Sequence, residues 1–338
     1  MPMMTPQTNN AARKSNWLLL AFAATAFAIV ALAGCGSNAE ATATFDKTFA
    51  VNGPVRLELT TGSGDAHITT GAADSVVIHG QIHASGWGIE GVQHDLRQMQ
   101  ANPPVSQEGN LIRVGGAGHH LSGVSVDFTI EVPPNTELHS VSGSGDVIVE
   151  GIQGPANFIS GSGSISASQT AGDAKATAGS GDVHFANIQG QATVTSGSGN
   201  VEALYIKGET RIHTGSGDVQ VTQPAAPVTV QTGSGDIRVS GASGDLHLTA
   251  ASGDTTVEGN PSGLHFWDLH SSSGEIMLNV PASGNFRLYA HSSSGDIDAQ
   301  IPVMMEGSTT SKHELRARIG DGSARIEAAT TSGTISLR

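Results

Sequence analysis

Apolar and polar residues alternate along most of this chain, in short runs bounded by Gly, Ser, Asp or Pro. The period is two, that of a strand with one buried face and one wet face. After one kind of turn the inward pairs read Val147 and Val149, Val183 and Phe185, Val219 and Val221, Ile237 and Val239, and Ile297 and Ala299. In the other set of runs they read Ala156 and Phe158, Ala192 and Val194, Val228 and Val230, and Leu246 and Leu248. The positions between vary freely, as in Ser166, His184, Gln220 and Arg238, or Lys175, Thr193, Arg211 and His247.

These runs recur on a fixed frame. The second Gly of a Ser-Gly-Asp type turn falls at Gly145, Gly163, Gly181, Gly199, Gly217, Gly235 and Gly253, with a step of 18 residues. Gly274 and Gly295 follow at steps of 21. A second marker, halfway between, falls at Gly154, Gly172, Gly190, Gly208 and Gly244, and Pro224-Ala225-Ala226-Pro227 fills the missing place. Self-similarity at this period signals a repeat architecture in which each unit buries its apolar face on its neighbours. It predicts an all-β fold, a parallel β-solenoid of 18–21-residue coils with two strands per coil. Residues one repeat apart then stack at ~4.8 Å. An antiparallel meander is the alternative, since Gly-Ser-Gly-Asp also closes hairpins. The solenoid is favoured by the inward position before the turn, which reads Ser142, Ser160, Ala178, Ser196, Thr214, Thr232, Ala250, Ser271 and Ser292. Hydroxyls on that frame can bond the turn backbone and one another up a stack.

Two segments depart from the repeat. Residues 44–80 read as an opening pair of strands, with Phe45, Phe49, Val55, Leu57 and Leu59 apolar. Residues 81–123 are irregular and read as an insertion or cap near the N-terminal end, where a bare sheet edge needs covering. Within them a short helix is expected over 92–99 and a strand over Leu111 to Val114.

The N-terminus carries an address. Arg13 and Lys14 precede an apolar run from Trp17 to Ala33, and Leu32-Ala33-Gly34-Cys35 resembles the lipobox of bacterial lipoprotein signal peptides. An uncleaved transmembrane helix beside a chance Cys is the alternative. The resemblance implies cleavage before Cys35, acylation of its sulfur and anchoring in a membrane. Gly36, rather than Asp, follows the Cys, which in such lipoproteins points to the outer membrane if the organism has one. The expected organisation is a signal peptide over 1–34, a lipidated Cys and flexible tether over 35–43, and the solenoid over 44–338.

Composition sharpens this picture. The chain has 44 Gly, 14% charged and 4% aromatic residues, which suits a thin, repetitive core. Its single Cys leaves no intrachain disulfide, so stability must come from packing and stacking. Without residues 1–34 the balance is 14 basic against 30 acidic residues, a net −16. That excludes nucleic acid and argues against anionic headgroups as partners.

Ser-Gly-Ser-Gly-Asp-Val-Ile-Val at 142–149, Val-Pro-Pro-Asn at 132–135, Ser-Ser-Ser-Gly-Asp-Ile at 292–297 and the closing Thr-Ser-Gly-Thr-Ile-Ser-Leu at 331–337 carry a likeness. Over roughly residues 44–338 the chain resembles the bacterial β-strand-repeat family of putative adhesins, a domain of unknown function. The resemblance implies the architecture and offers no catalytic residues.

Three chemistries need weighing. Asp146, Asp182, Asp218, Asp236, Asp254, Glu275 and Asp296 share one repeat position and would form a column in a stack. Such a column either binds Ca²⁺ between coils or caps turn backbone; Ser164 and Asn200 in the same frame favour capping. The histidines, among them His79, His83, His119 and His120, have no recognised metal-ligand spacing and read as surface residues. Trp87, between Gly86 and Gly88, is the candidate contact residue, whereas Trp267 falls in the inward register. No repeated acid–base pair points to catalysis. The expected function is a non-enzymatic, lipid-anchored cell-envelope protein, an adhesin or scaffold meeting a surface protein or glycan. A periplasmic sensor or regulatory partner and a Ca²⁺-dependent binding module are the alternatives.

Overall fold

The computed structural model describes residues 38–87, 89–116, 123–261, 263–306 and 311–338. Among them the strands form two sheets of 14 and 15 strands that face each other. The pairs of the central repeat are parallel and in the predicted frame. Ala156 lies beside Ala174, Ala174 beside Ala192, Ala192 beside Thr210, and Thr210 beside Val228, each 18 residues on. Each coil lays one strand in each sheet, so the chain is a parallel β-solenoid.

The core runs between the sheets and is as thin as the composition requires. Large and small inward residues sit side by side within a sheet: Phe158 neighbours Ala176, and Phe185 neighbours Ala167 and Ala203. Phe158 and Phe185 meet across the core at 6.3 Å between ring centroids. Trp267 is fully buried, as its register requires, and its indole N–H donates to the Gly244 carbonyl at 2.8 Å.

The N-terminal end departs from simple stacking. Strands β1 (Asn38–Ala50), β2 (Val55–Thr61), β3 (Ala66–Thr70) and β4 (Ser75–Trp87) lead into helix α1 (Ile89–Ala101). Then come β5 (Val105–Glu108), β6 (Leu111–Gly115), β7 (Val124–Val132), β8 (Thr136–Ser142) and β9 (Val147–Glu150). The first coil, β2 and β3, is not the end of the stack. It lies between the β8–β9 coil on one side and β6 with β7 on the other. Antiparallel β4 covers β7, and β1 covers β4. The helix turns Val92, Leu96 and Met99 inward, so the described residues of the 81–123 segment form a cap on this end.

Two expectations are corrected here. Residues 38–43, expected as part of a flexible tether, belong to β1, with Ala41, Ala43 and Phe45 buried in an alternating pattern against β4. Their small side chains look like linker composition, yet they fit a close strand pair. The coils bearing Gly274 and Gly295 are not neighbours either. The last strands, Ala324–Thr330 and Ile335–Leu337, slot between them. The chain skips one place, lays the coil 286–299, caps it with the antiparallel strand Glu314–Ile319, and returns to fill the gap. The turn back runs through Gly320 and Gly322, at φ +60° and +72°.

Candidate functional site

Each Ser-Gly-Asp corner stacks on the corner of the neighbouring coil. A Cβ at Gly217 would overlap the carbonyl of Gly199, and one at Gly235 that of Gly217, so glycine is required for this approach. Inside the corner the small hydroxyls close the turn. Ser142 Oγ donates to the Gly145 carbonyl at 2.6 Å, and Thr232 Oγ1 accepts the N–H of Gly235 at 3.1 Å.

Outside the corner the acids form a ladder between coils. Asp146 Oδ1 accepts the N–H of Ser164 at 2.7 Å, and Asp182 Oδ1 that of Asn200 at 2.8 Å. Asp218 takes the N–H of Asp236 and Asp236 that of Asp254, both at 2.9 Å; Asp254 takes that of Glu275 at 2.8 Å. Asn200 plays the same part for Asp218 at 3.0 Å. The corner is too tight for its N–H to reach a neighbouring backbone carbonyl, and the side chain below satisfies it. Stacked carboxylates repel one another, and Ser164 and Asn200 break the run where they replace an acid.

Asp65 and Asp127 extend the ladder beyond the expected column, Asp127 accepting the N–H of Asp65 and Asp65 that of Asp146, each at 2.9 Å. Asp65 closes Thr61-Gly62-Ser63-Gly64-Asp65, an early copy of the same turn motif, but Asp127 has no turn motif around it and only the fold places it there. Asp296 does not follow Glu275, because the Thr334 corner of the inserted last coil stands between them. The opposite turn has its own caps. Asp173 Oδ1 takes the N–H of Gln191 and Asp245 Oδ1 that of Phe266, both at 2.8 Å. That backbone bond, helped by His265, holds the Asp245 carboxyl below its ordinary value.

A further frame was invisible in residue type. Gly151, Gln169, Asn187, Tyr205, Gln223 and Gly241 all have φ between +48° and +81°. Six successive coils thus make a left-handed step at one position, although only two of the six residues are Gly.

The outward faces carry histidine–carboxylate pairs between neighbouring strands. His184 meets Glu202 at 2.8 Å, His79 meets Asp46 at 2.7 Å, and Asp268 meets His247 of the neighbouring strand at 2.9 Å and His270 of its own at 2.7 Å. Among the described residues no group of three or more His, Cys, Asp or Glu is placed to hold a metal ion. Trp87 ends β4 opposite Asn38, and its side chain lies outside the described residues. Cys35, His119 and His120 also lie outside them.

Fold and corner together define a capped two-sheet β-solenoid whose repeat is held by glycine stacking and carboxylate caps. The chain belongs to the Toastrack DUF4097 family, whose model matches residues 54–338. A solved structure of a putative cell adhesion protein from Clostridium sporogenes is 13% identical, with a TM-score of 0.19 over 87% of this chain and 98% of that one. A putative adhesin from Parabacteroides distasonis is 12% identical, with a TM-score of 0.27 over 87% of this chain and 97% of that one. Likenesses this distant carry no argument about activity. No curated protein matches the chain.

Proposed function

We propose that this protein is a lipid-anchored, non-enzymatic component of the cell envelope whose solenoid presents an extended adhesive or scaffolding surface. The observation that carries the reading is the closeness of anchor and fold. Strand β1 begins at Asn38, three positions after the lipobox Cys35, and belongs to the cap at one end of the stack. A lipid on Cys35 would hold that end at the membrane, and the 14 strands of one sheet would extend about 60 Å from it at ~4.8 Å per strand. The repeated acids support a structural role, since they cap backbone N–H groups. A surface adhesin, a periplasmic partner protein and a Ca²⁺-dependent module would all share this framework.

The test is fractionation of cells expressing the full chain or Cys35→Ser, followed by protease treatment of intact cells. The expected result is a membrane-bound, acylated wild type, a released variant, and digestion of the solenoid from outside. A Cys35→Ser chain that stays acylated and membrane-bound would sink the anchor. Protection from protease until lysis would replace adhesion with a periplasmic role.

A further inference from the structure

The far end of the stack from β1 carries a row of like charges that local structure does not require. On the strands Met304–Met305, Glu314–Ile319, Phe286–Ser292, Ala324–Thr330 and Phe266–Ser271 the outward residues in register are Met304, Arg318, Arg287, Arg325 and Phe266. Three arginines thus stand directly opposite one another on adjacent strands. Like charges in that relation destabilise a sheet. Arg316 lies in the next row beside Tyr289. Four of the chain's eleven arginines meet on this small face of a protein whose formal charge is −14.

Their surroundings point outward. Arg316 lies 5.1 Å from the centre of the Tyr289 ring and Arg325 lies 5.6 Å from that of Phe266. Three glutamates pair with these arginines: Glu306 meets Arg318 at 3.1 Å and Arg287 at 3.9 Å, Glu314 meets Arg316 at 2.8 Å, and Glu327 pairs with Arg325. Four guanidinium groups share this face with those three glutamates and with Asp268, which stands opposite Glu327 on the neighbouring strand. The side chains of Arg287, Arg316 and Arg325 are 60–66% exposed, whereas Glu314 and Glu327 are 28–30% exposed. Arg318 and Glu306 are 37% and 43% exposed, and the guanidinium groups of Arg287, Arg316 and Arg325 stand in solvent above a cleft of about 580 Å³ that Glu306 and Glu327 also line.

The geometry points to a binding face for a carboxylated polysaccharide, a chain of sugar rings bearing uronate-type acids. Planar guanidinium forks match carboxylates in bidentate fashion. The outward Tyr289 and Phe266 rings, each with a guanidinium over it, hold Arg316 and Arg325 in place. Neighbouring arginines are one strand apart, about 4.8 Å, so the row suits a repeating polyanion over a single charge. The rest of the molecule is acidic and repels such a polymer, which confines binding to this end. The site deepens the adhesive reading above by naming the ligand class, and it places contact at the end remote from Cys35.

The test uses the full chain in detergent micelles at physiological ionic strength, with polygalacturonate, neutral dextran and polyphosphate as probes. Binding of polygalacturonate in preference to both others is expected. Arg287→Gln combined with Arg325→Gln should weaken it by about tenfold or more. Arg238→Gln, on the other sheet, should leave it unchanged. The double variant should melt no lower than wild type, because removing opposed charges relieves repulsion; a purely structural role for the row predicts a lower melting temperature and unchanged binding. Polyphosphate binding as strong as polygalacturonate, equal loss with Arg238→Gln, or no polygalacturonate binding would each overturn the assignment. None of these outcomes touches the anchor, which the Cys35→Ser fractionation tests separately.

Discussion

The Oδ1 of Asp236 accepts the backbone N–H of Asp254, one coil further on, at 2.9 Å. The bond joins the same side chain in two successive repeats and satisfies a corner amide that the strand ladder leaves out. Asp236→Ala should therefore cost about 1 kcal/mol of stability, read as a lower urea midpoint with an unchanged slope. Asp236→Asn should recover most of that loss, because Asn200 already caps Asp218 in the same way. An Asn variant as damaging as Ala would sink the capping role.

Calcium is tested by chelation. With one oxygen of each of Asp146, Asp182, Asp218, Asp236 and Asp254 already bonded to an N–H, the column holds without a cation. EDTA should leave the melting temperature where it was, and added Ca²⁺ should not raise it. A steep fall on chelation would restore the Ca²⁺-dependent module.

Glycine stacking separates two substitutions that look alike in sequence. Gly217→Ala forces a methyl into the Gly199 carbonyl and should cost about 3 kcal/mol in thermal or urea unfolding. Gly62→Ala, at an open site in the first corner, should be neutral or slightly stabilising, by up to about 1 kcal/mol. Equal effects at the two sites would contradict the stacked corner.

The left-handed step gives a stabilising change. Tyr205 is exposed and sits at φ +56°, where an L side chain other than Asn or Gly is strained. Tyr205→Gly should raise stability by up to about 1 kcal/mol, as measured by calorimetry. Gly151→Val, at φ +81°, should lower it.

The inserted last coil makes the two ends of the chain differ from its middle. Deleting residues 182–199, one 18-residue coil, should leave a folded, shorter solenoid, because neighbouring coils present the same surfaces. Removing residues 321–338 opens a gap inside the stack and strips the coil 286–299 of its parallel partner strands, leaving it only the antiparallel strand Glu314–Ile319. That truncation should abolish the cooperative transition at the C-terminal half in hydrogen exchange. Mild fraying alone would mean the last coil is an ordinary end.

The sequence by itself determined the repeat, the inward and outward faces, the corner glycines and the inward hydroxyls. Each is a local consequence of period-two patterning and turn chemistry, and each recurs often enough to be read from residue type at one frame position. It also marked the helix in the cap, expected over 92–99 and found as Ile89–Ala101. The order of the coils at both ends was decided only by tertiary structure. Coils 55–70, 266–279, 286–299 and 324–337 present nearly the same apolar faces, so no local signal says which stacks on which. The antiparallel strands β4 and Glu314–Ile319 settle it by covering one exposed edge each. Asp127 and the row of Arg318, Arg287 and Arg325 were illegible for the same reason. They come from separate stretches of chain, and only strand pairing places them side by side.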